Sequence, residues 1–198
     1  MEPRTFRLGA VPGAMPGRWI DTWKRRMPEV GLVLTEIAYA TQRAALDADE
    51  IDIALVREPF DRAGMHAIPL YTEVTVVVAA ADSHLMAADE LDAEDLAGEV
   101  LLQTVEDVLG TLDLPATPAA IAPIETLKDA VATVAAGTGI LILPMSLARL
   151  HHRKDVDYRP LRGGPTSPVL LAWPEDRTTT DVEAFIGIVR GRTANSSR

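Results

Sequence analysis

The sequence contains no cysteine. That absence removes a disulfide framework, a cysteine-ligated zinc or iron–sulfur site and a thiol nucleophile. Aromatic residues are scarce, at 5%. Long apolar runs are missing too: Val76–Ala81 and Ile140–Met145 are strand-sized, far short of a bilayer span. The opening Met1-Glu2-Pro3-Arg4-Thr5-Phe6 holds no secretory signal pattern, so a cytoplasmic protein is expected, with no membrane partner. Positive charge is also in short supply. The formal net charge of −10 argues against nucleic acid or an acidic membrane as a partner.

What is present is an ordinary globular composition. The 198 residues are 47% hydrophobic and 24% charged, which excludes wholesale disorder. That length suits one large domain or two small lobes, burying roughly 70% of the extended chain surface. The acidity is local. Between Asp82 and Asp129 there are 12 acidic side chains against one base, Lys128. A basic run follows, Arg149, Arg153, Lys154, Arg159 and Arg162, interrupted by Asp155 and Asp157. Such charge runs ordinarily form solvated faces.

Strand and helix patterns alternate. Thr5–Val11 reads as a strand running into the breaker-rich Pro12-Gly13-Ala14-Met15-Pro16-Gly17. Trp19, Ile20, Trp23 and Met27 share a helical face, which either enters the core or forms a subunit interface. Val30, Leu32 and Leu34 alternate as in a strand. A short helix is expected after Thr41, which serves as its cap. Ile51–Val56 and Val74–Ala81 are compact apolar strands of the kind buried on both faces of a parallel sheet. Asp92 and Asp95 form a capping pair for one helical turn ending at Gly98. Val100-Leu101-Leu102 is strand-like, and Gln103–Pro123, broken by prolines, reads mostly as loop. Leu127, Val131 and Val134 mark a helix closed by Gly137. Ile140–Leu143 is a strand, with Pro144 opening the next short helix. Arg162-Gly163-Gly164-Pro165 is a turn, Val169–Trp173 a strand, and Val182, Phe185, Ile186 and Val189 line a final helix. The tail from Gly191 is expected to fray. The alternation predicts an α/β fold with largely parallel sheets.

The ordered series of short motifs resembles the effector-binding domain of LysR-type transcriptional regulators. It runs from Phe6-Arg7-Leu8-Gly9-Ala10 through Arg26-Met27-Pro28-Glu29-Val30, Ile51-Asp52-Ile53-Ala54-Leu55-Val56-Arg57 and Ile68-Pro69-Leu70-Tyr71-Thr72-Glu73. Asp82-Ser83-His84-Leu85, Asp95-Leu96-Ala97, Val134–Ile140 and Leu143-Pro144 complete it. The resemblance implies a type II periplasmic-binding-protein-like fold of two α/β lobes with a cleft and two crossover segments. Residues 1–73 plus 168–198 would form lobe I and 74–167 lobe II. It implies a non-enzymatic ligand sensor linked to transcriptional regulation, without cofactor or metal, and a homodimer. The family's N-terminal helix-turn-helix has no counterpart ahead of the first strand, so no direct DNA binding by this chain is expected.

The resemblance also implies where a small organic effector, an anion or an aromatic compound, would sit. The first loop, Val11, Pro12, Gly13, Ala14 and Met15, offers backbone N–H groups but no hydroxyl where relatives often place Ser or Thr. Tyr39-Ala40-Thr41-Gln42 is a second candidate segment, with Tyr39 and Thr41 as its contact residues. Arg57 is suited either to clamp a carboxylate or to form a structural salt bridge with Glu58, Asp61 or another acid. From the other lobe come Gln103 and Thr104, then Glu125 and Thr126 at a helix start. Two further readings stay open: a protein-interaction module with a degenerate cleft, and a solute-binding protein. Enzyme signatures are weak. Gly137-Thr138-Gly139 stands between helix and strand, the reverse of a dinucleotide fingerprint. His151 and His152 are adjacent and diverge on a helix, which suits an exposed basic end better than a shared metal.

Overall fold

The computed structural model describes residues 4–191. Strand β1 (Thr5–Ala10) leads to helix α1 (Gly17–Arg26), β2 (Gly31–Glu36), α2 (Gln42–Asp47), β3 (Ile53–Arg57) and β4 (Met65–Glu73). Next come β5 (Thr75–Ala80), β6 (Val100–Leu101), β7 (Thr117–Pro118), α3 (Leu127–Ala135) and β8 (Leu141–Pro144). The chain ends with α4 (Met145–Leu150), β9 (Val156–Pro160), β10 (Ser167–Pro174) and α5 (Thr180–Val189). Two compact units divide it. One takes in the described residues up to Tyr71 and from Val169 on; the other is Thr72–Pro168. The tail expected to fray falls, beyond Gly191, outside the described residues.

The first unit is built on a five-stranded sheet in the order β2-β1-β3-β10-β4. Strands β2, β1 and β3 are parallel, and β10 runs antiparallel to β3. Side chains alternate across a strand, so β1 sends Phe6, Leu8 and Ala10 to one face. There they meet Trp19 and Trp23 of α1 and Val182, Phe185 and Ile186 of α5. On the other face Ile37, Leu46, Ile51, Ala54 and Val56 form a second core. Gly9 points into this second face, where an added Cβ would lie 3.0 Å from Ile51 Cγ2 and 3.2 Å from Ala54 Cβ. A side chain there would overpack the contact between β1 and the run into β3.

The α1 stripe is core. Trp23 is fully buried, stacks on Phe6 with ring centroids 4.5 Å apart and tilts against Phe185 at 6.0 Å. Its indole N–H donates to the Val30 carbonyl at 3.0 Å, tying the helix to the entry of β2. Trp19 is also buried, with the Arg18 guanidinium 5.5 Å above its ring.

The second unit departs from the expected parallel sheets. Its sheet is β8-β5-β9, and both pairings are antiparallel. A fully buried apolar strand such as Thr75–Ala80 reads the same in either orientation, so the sequence pattern did not carry the direction. Val76 and Val78 face α3 and α4, while Val77 and Ala79 face Leu85, Leu91, Leu96 and Ile140. The segment read as loop contains β7, which pairs with β6 in parallel. Asp95 accepts from the Asp92 N–H at 2.8 Å, as the capping pair requires. Pro144 closes β8 and stands at the cap of α4 rather than inside it.

Much of the charge is spent locally. In the second unit the Arg162 guanidinium binds Glu90 at 2.8 Å and Asp92 at 3.0 Å. Arg159 pairs with Asp157 at 2.8 Å and donates to the carbonyls of Met86 at 2.7 Å and Ala88 at 2.6 Å. Arg153 grips Asp155 with two hydrogen bonds of 2.8 Å. Three members of the basic run, Arg153, Arg159 and Arg162, are therefore clasps on nearby acids. In the first unit Arg7 joins Asp52 (Nε to Oδ1 3.1 Å) and Asp49 (3.0 Å), and Arg177 reaches the same Asp49 oxygen at 2.5 Å. Hydrogen bonds from Arg7 and then Arg177 hold the Asp49 carboxyl below the usual aspartate range.

Two outcomes are expected. Trp23→Ala removes ring stacking and a buried hydrogen bond together and lowers stability by about 3–5 kcal/mol. Trp23→Phe costs less, because it keeps most of the packing; urea unfolding followed by circular dichroism ranks the two. The second concerns acid. A depressed folded-state pKa stabilises above the ordinary aspartate value of 3.8, and the gain is lost as pH falls through the lower folded value. Asp49→Asn should be less stable than the parent at neutral pH, the difference shrinking as pH falls below 3.8 through the lower folded value. Asp49 has φ +57°, a conformation asparagine also tolerates, so the change isolates the charge.

Candidate functional site

Parallel strands deliver their C-terminal ends to one edge of the sheet, where open α/β folds hold ligands. In the first unit β1 and β3 do this side by side, Ala10 standing opposite Leu55. Val11 continues the ladder, its N–H donating to the Leu55 carbonyl at 3.1 Å. The chain then turns through Gly13 at φ +83°, a left-handed conformation that a glycine adopts without strain. Ala14 N–H bonds back to the Val11 carbonyl at 3.1 Å, while among the described residues no backbone acceptor meets the N–H of Gly13 or Met15. Met15 is 81% exposed. Pro16 occupies the cap position of α1 and carries no side-chain acceptor for that helix's first N–H groups. The helix start is thus polarised toward a hydrogen-bond acceptor.

Arg57 ends β3 and is fully buried at 1% exposure. At this level β1 has already turned away, and the β3 edge that faced it needs new partners. Gln42 supplies both. Its amide nitrogen donates to the Arg57 carbonyl at 2.8 Å, and its amide oxygen accepts from the Arg57 N–H at 2.9 Å. The side chain so replaces one rung of the missing strand. The Arg57 guanidinium then reaches the Pro12 carbonyl at 3.4 Å, so two of the sequence-predicted positions meet. Glu58 and Asp61, the acids considered as alternative partners, have other contacts. Glu58 accepts from Phe60 N–H at 2.6 Å and pairs with Arg62, and Asp61 accepts from Ala63 N–H at 3.0 Å.

Tyr39 is half-buried on a single turn of helix, and Thr41 is exposed at its end. Thr41 does not cap α2. Its hydroxyl turns back to the Ala38 carbonyl at 3.4 Å because that preceding turn leaves a closer acceptor. Gln42, which closes the second candidate segment, is buried beside Leu46 one turn on; its pairing with Arg57 is what sequence reasoning left out. A signal existed: Gln42 shares a helical face with Leu46, and a glutamine on a buried face needs a polar partner.

In the second unit, Thr104 forms a parallel bridge with Ile124; Val105 N–H donates to Ile124 at 3.0 Å and Ile124 N–H to Gln103 at 2.8 Å. That bridge brings Gln103 and Thr104 beside Glu125 and Thr126. Gln103 and Glu125 are exposed, whereas Thr104 is buried and donates to the Glu106 carbonyl at 3.3 Å. Thr126 is the cap of α3: its hydroxyl accepts from Asp129 N–H at 3.1 Å and donates to Asp129 Oδ2 at 2.7 Å. With Asp129 in the first turn and Glu125 just ahead of it, this helix start favours neutral or cationic groups. No three His, Cys, Asp or Glu side chains gather to hold a metal ion among the described residues. His66 lies against Trp173 at 5.3 Å, and His84 stands 3.8 Å from Glu99. No helix among the described residues is long and apolar enough to cross a membrane.

These features define a two-unit α/β protein of the type II periplasmic-binding-protein-like class. The sequence matches the LysR substrate binding domain over residues 2–194, and the chain belongs to that family of transcriptional regulators. It is 24% identical over 208 residues to the Hca operon transcriptional activator HcaR of Escherichia coli K12, covering 98% of this chain and 70% of that protein. It is 28% identical over 158 residues to the HTH-type transcriptional regulator CatR of Pseudomonas putida, covering 75% of this chain and 54% of CatR. Among solved structures, the effector binding domain of a BenM variant superimposes with a TM-score of 0.79 at 22% identity, covering 96% and 97% of the two chains. The reduced OxyR regulatory domain of Pseudomonas aeruginosa gives 0.72 at 24% identity over 96% of each chain.

Removing the Gln42 amide should expose the weakness it conceals. Gln42→Leu leaves the Arg57 N–H and C=O without partners, at about 1–3 kcal/mol for each group. Gln42→Glu keeps the acceptor, loses the donor and falls between. Hydrogen exchange at the Arg57 amide, read alongside the urea midpoint, should speed up in the leucine variant and stay slow in the glutamate one.

Proposed function

We propose that this chain is a non-enzymatic sensor domain that binds a small organic effector and reports its presence to transcription in the cytoplasm. The observation carrying this reading is the Arg57 terminus of β3. A buried arginine, its main chain clamped by Gln42, lies next to a loop whose Gly13 and Met15 N–H groups meet no backbone acceptor among the described residues, and next to a helix start without a side-chain cap. Such a set suits a carboxylate or another acceptor-rich head. Met15 and Ala14 add apolar surface without a hydroxyl and Tyr39 adds an aromatic ring, which favours an aromatic or otherwise apolar body. One solved relative is BenM with its effector benzoate, at a TM-score of 0.76. Val11, Pro12, Gly13 and Thr41 would shape the surroundings of Arg57, and Gln103, Thr104, Glu125 and Thr126 are the second unit's own candidate contacts, neutral and acidic in character. Binding would act by shifting the population of conformers. The working form would be a homodimer, with DNA contacted by other parts of the regulator.

A second reading, a protein-interaction module, is favoured by the missing hydroxyl in the 11–15 loop and the acidic start of α3. Thermal-shift titration with benzoate and related aromatic acids separates the two. A saturable rise is expected, equivalent to about 2.7 kcal/mol at a hundredfold excess over Kd. It should vanish in Arg57→Ala and return in part in Arg57→Lys, with circular dichroism confirming that both fold. The effector reading fails if no acid or metabolite pool raises the melting temperature.

A further inference from the structure

The exit of the first loop from the sheet depends on one side chain. In the ladder between β1 and β3, Ala10 stands opposite Leu55, and the Val11 N–H donates to the Leu55 carbonyl at 3.1 Å. Parallel strands repeat this pattern every two residues. One step on, the Arg57 N–H would donate to the Val11 carbonyl, and the Arg57 carbonyl would accept from the Gly13 N–H. Neither bond forms. Gln42 takes both places, its Oε1 accepting from the Arg57 N–H at 2.9 Å and its Nε2 donating to the Arg57 carbonyl at 2.8 Å. A side-chain amide offers the same acceptor and donor as a peptide unit, so the ladder loses no bond. The Val11 carbonyl is left to accept from the Ala14 N–H at 3.1 Å, which closes the turn, and the Gly13 N–H meets no backbone acceptor among the described residues. On its other edge β3 offers no alternative. Val169 of β10 stands opposite Arg57, whose backbone groups face the other way, toward Gln42.

We propose that Gln42 is a positioning residue for carboxylate recognition. Standing in for residues 11–13 in the ladder, it fixes the Arg57 main chain, and with it the guanidinium, while keeping the 11–15 loop out of the sheet. The proposal rests on the effector reading above and names the residue that sets its preference for negative charge. Gln42 is 5% exposed and its amide is engaged at both ends, so it acts through Arg57 and does not touch the effector. Two bonds to one residue fix a direction as well as a distance, which a single contact does not. From that fixed main chain the guanidinium reaches the Pro12 carbonyl at 3.4 Å, on the same loop that the Gln42 amide displaces from the ladder. One side chain thus holds the cation and makes room for the loop beside it.

Two measurements on the full chain test it. The first needs no effector: NMR relaxation of the Arg57 Nε–H group reports how ordered the side chain is. It should be ordered in the parent and clearly more mobile in Gln42→Leu. The second is isothermal titration with benzoate and with benzamide, its neutral counterpart. Gln42→Leu should cut the preference for benzoate over benzamide by about tenfold, because the contact it loosens is charge-assisted. A merely structural role lowers both affinities together and leaves their ratio alone. That result overturns the proposal, as does a leucine variant whose Arg57 Nε–H stays as ordered as in the parent. If Gln42→Leu does not fold, Gln42→Glu takes its place, keeping the acceptor of the clamp and losing the donor. A smaller rise in Arg57 mobility is then expected, and unchanged order overturns the proposal. If the parent binds neither probe, the effector reading fails, and the order of the Arg57 side chain still decides whether Gln42 positions it.

Discussion

A buried strand end must satisfy its backbone, and the first unit is arranged around that requirement at Arg57. Strand β3 outlasts β1, so its last residue projects past the neighbour that would have bonded it. An orphaned N–H and C=O at a fully buried position would be costly, and Gln42 removes the problem with a single planar amide. Both groups of that amide are then used, and the side chain's own burial is compensated. The position of α2 follows from this, since Gln42 is its first residue. The direction of the Arg57 guanidinium toward Pro12 follows too, because a clamped main chain leaves the side chain a narrow choice of paths.

The same economy governs charge. A stretch with 12 acids and one base would repel itself if all its carboxylates faced water together. Instead Arg162 and Arg159 reach back from the end of β9 and beyond to the segment around Met86–Asp92. Asp95 and Asp129 are occupied at helix starts. These exposed pairs contribute little individually in water. Their collective effect is to hold the charged side of a long irregular segment whose other side is anchored by Leu85, Met86, Leu91 and Leu96.

How much of this was legible in the sequence depends on the range of the interaction concerned. Strands β1, β3 and β5 and helices α1, α3 and α5 were visible because their apolar periodicity is local. The family's order of motifs carried the fold class. Strand β9, Val-Asp-Tyr-Arg-Pro, was not read, since charged residues at alternate positions mask a half-buried strand. Strand β4 contains Pro69, which disguises an edge strand as a turn. The antiparallel second sheet depends on pairings between Thr75 and Pro144 or Val76 and Pro160, distant in sequence and without a local mark. In the site, Arg57 and the 11–15 loop were nameable from the motif series. Thr41 was misassigned as a cap because the turn before it, Tyr39–Thr41, offers its hydroxyl the Ala38 carbonyl. Gln42 was named in the second candidate segment, but its role escaped because its partner is a main chain 15 residues away.

The start of α3 carries a constraint of its own. Thr126 caps the helix, its hydroxyl both accepting from the Asp129 N–H and donating to the Asp129 carboxylate. A threonine so satisfied has little to offer a ligand unless the cap is given up. Losing such a cap costs about 1 kcal/mol, so only a group that replaces both hydrogen bonds would compensate. Asp129 in the first turn and Glu125 just ahead of it also oppose the affinity for anions that a helix start otherwise has. The first turn of α3 therefore has the opposite preference to that of α1, which has neither an acidic residue nor a side-chain cap.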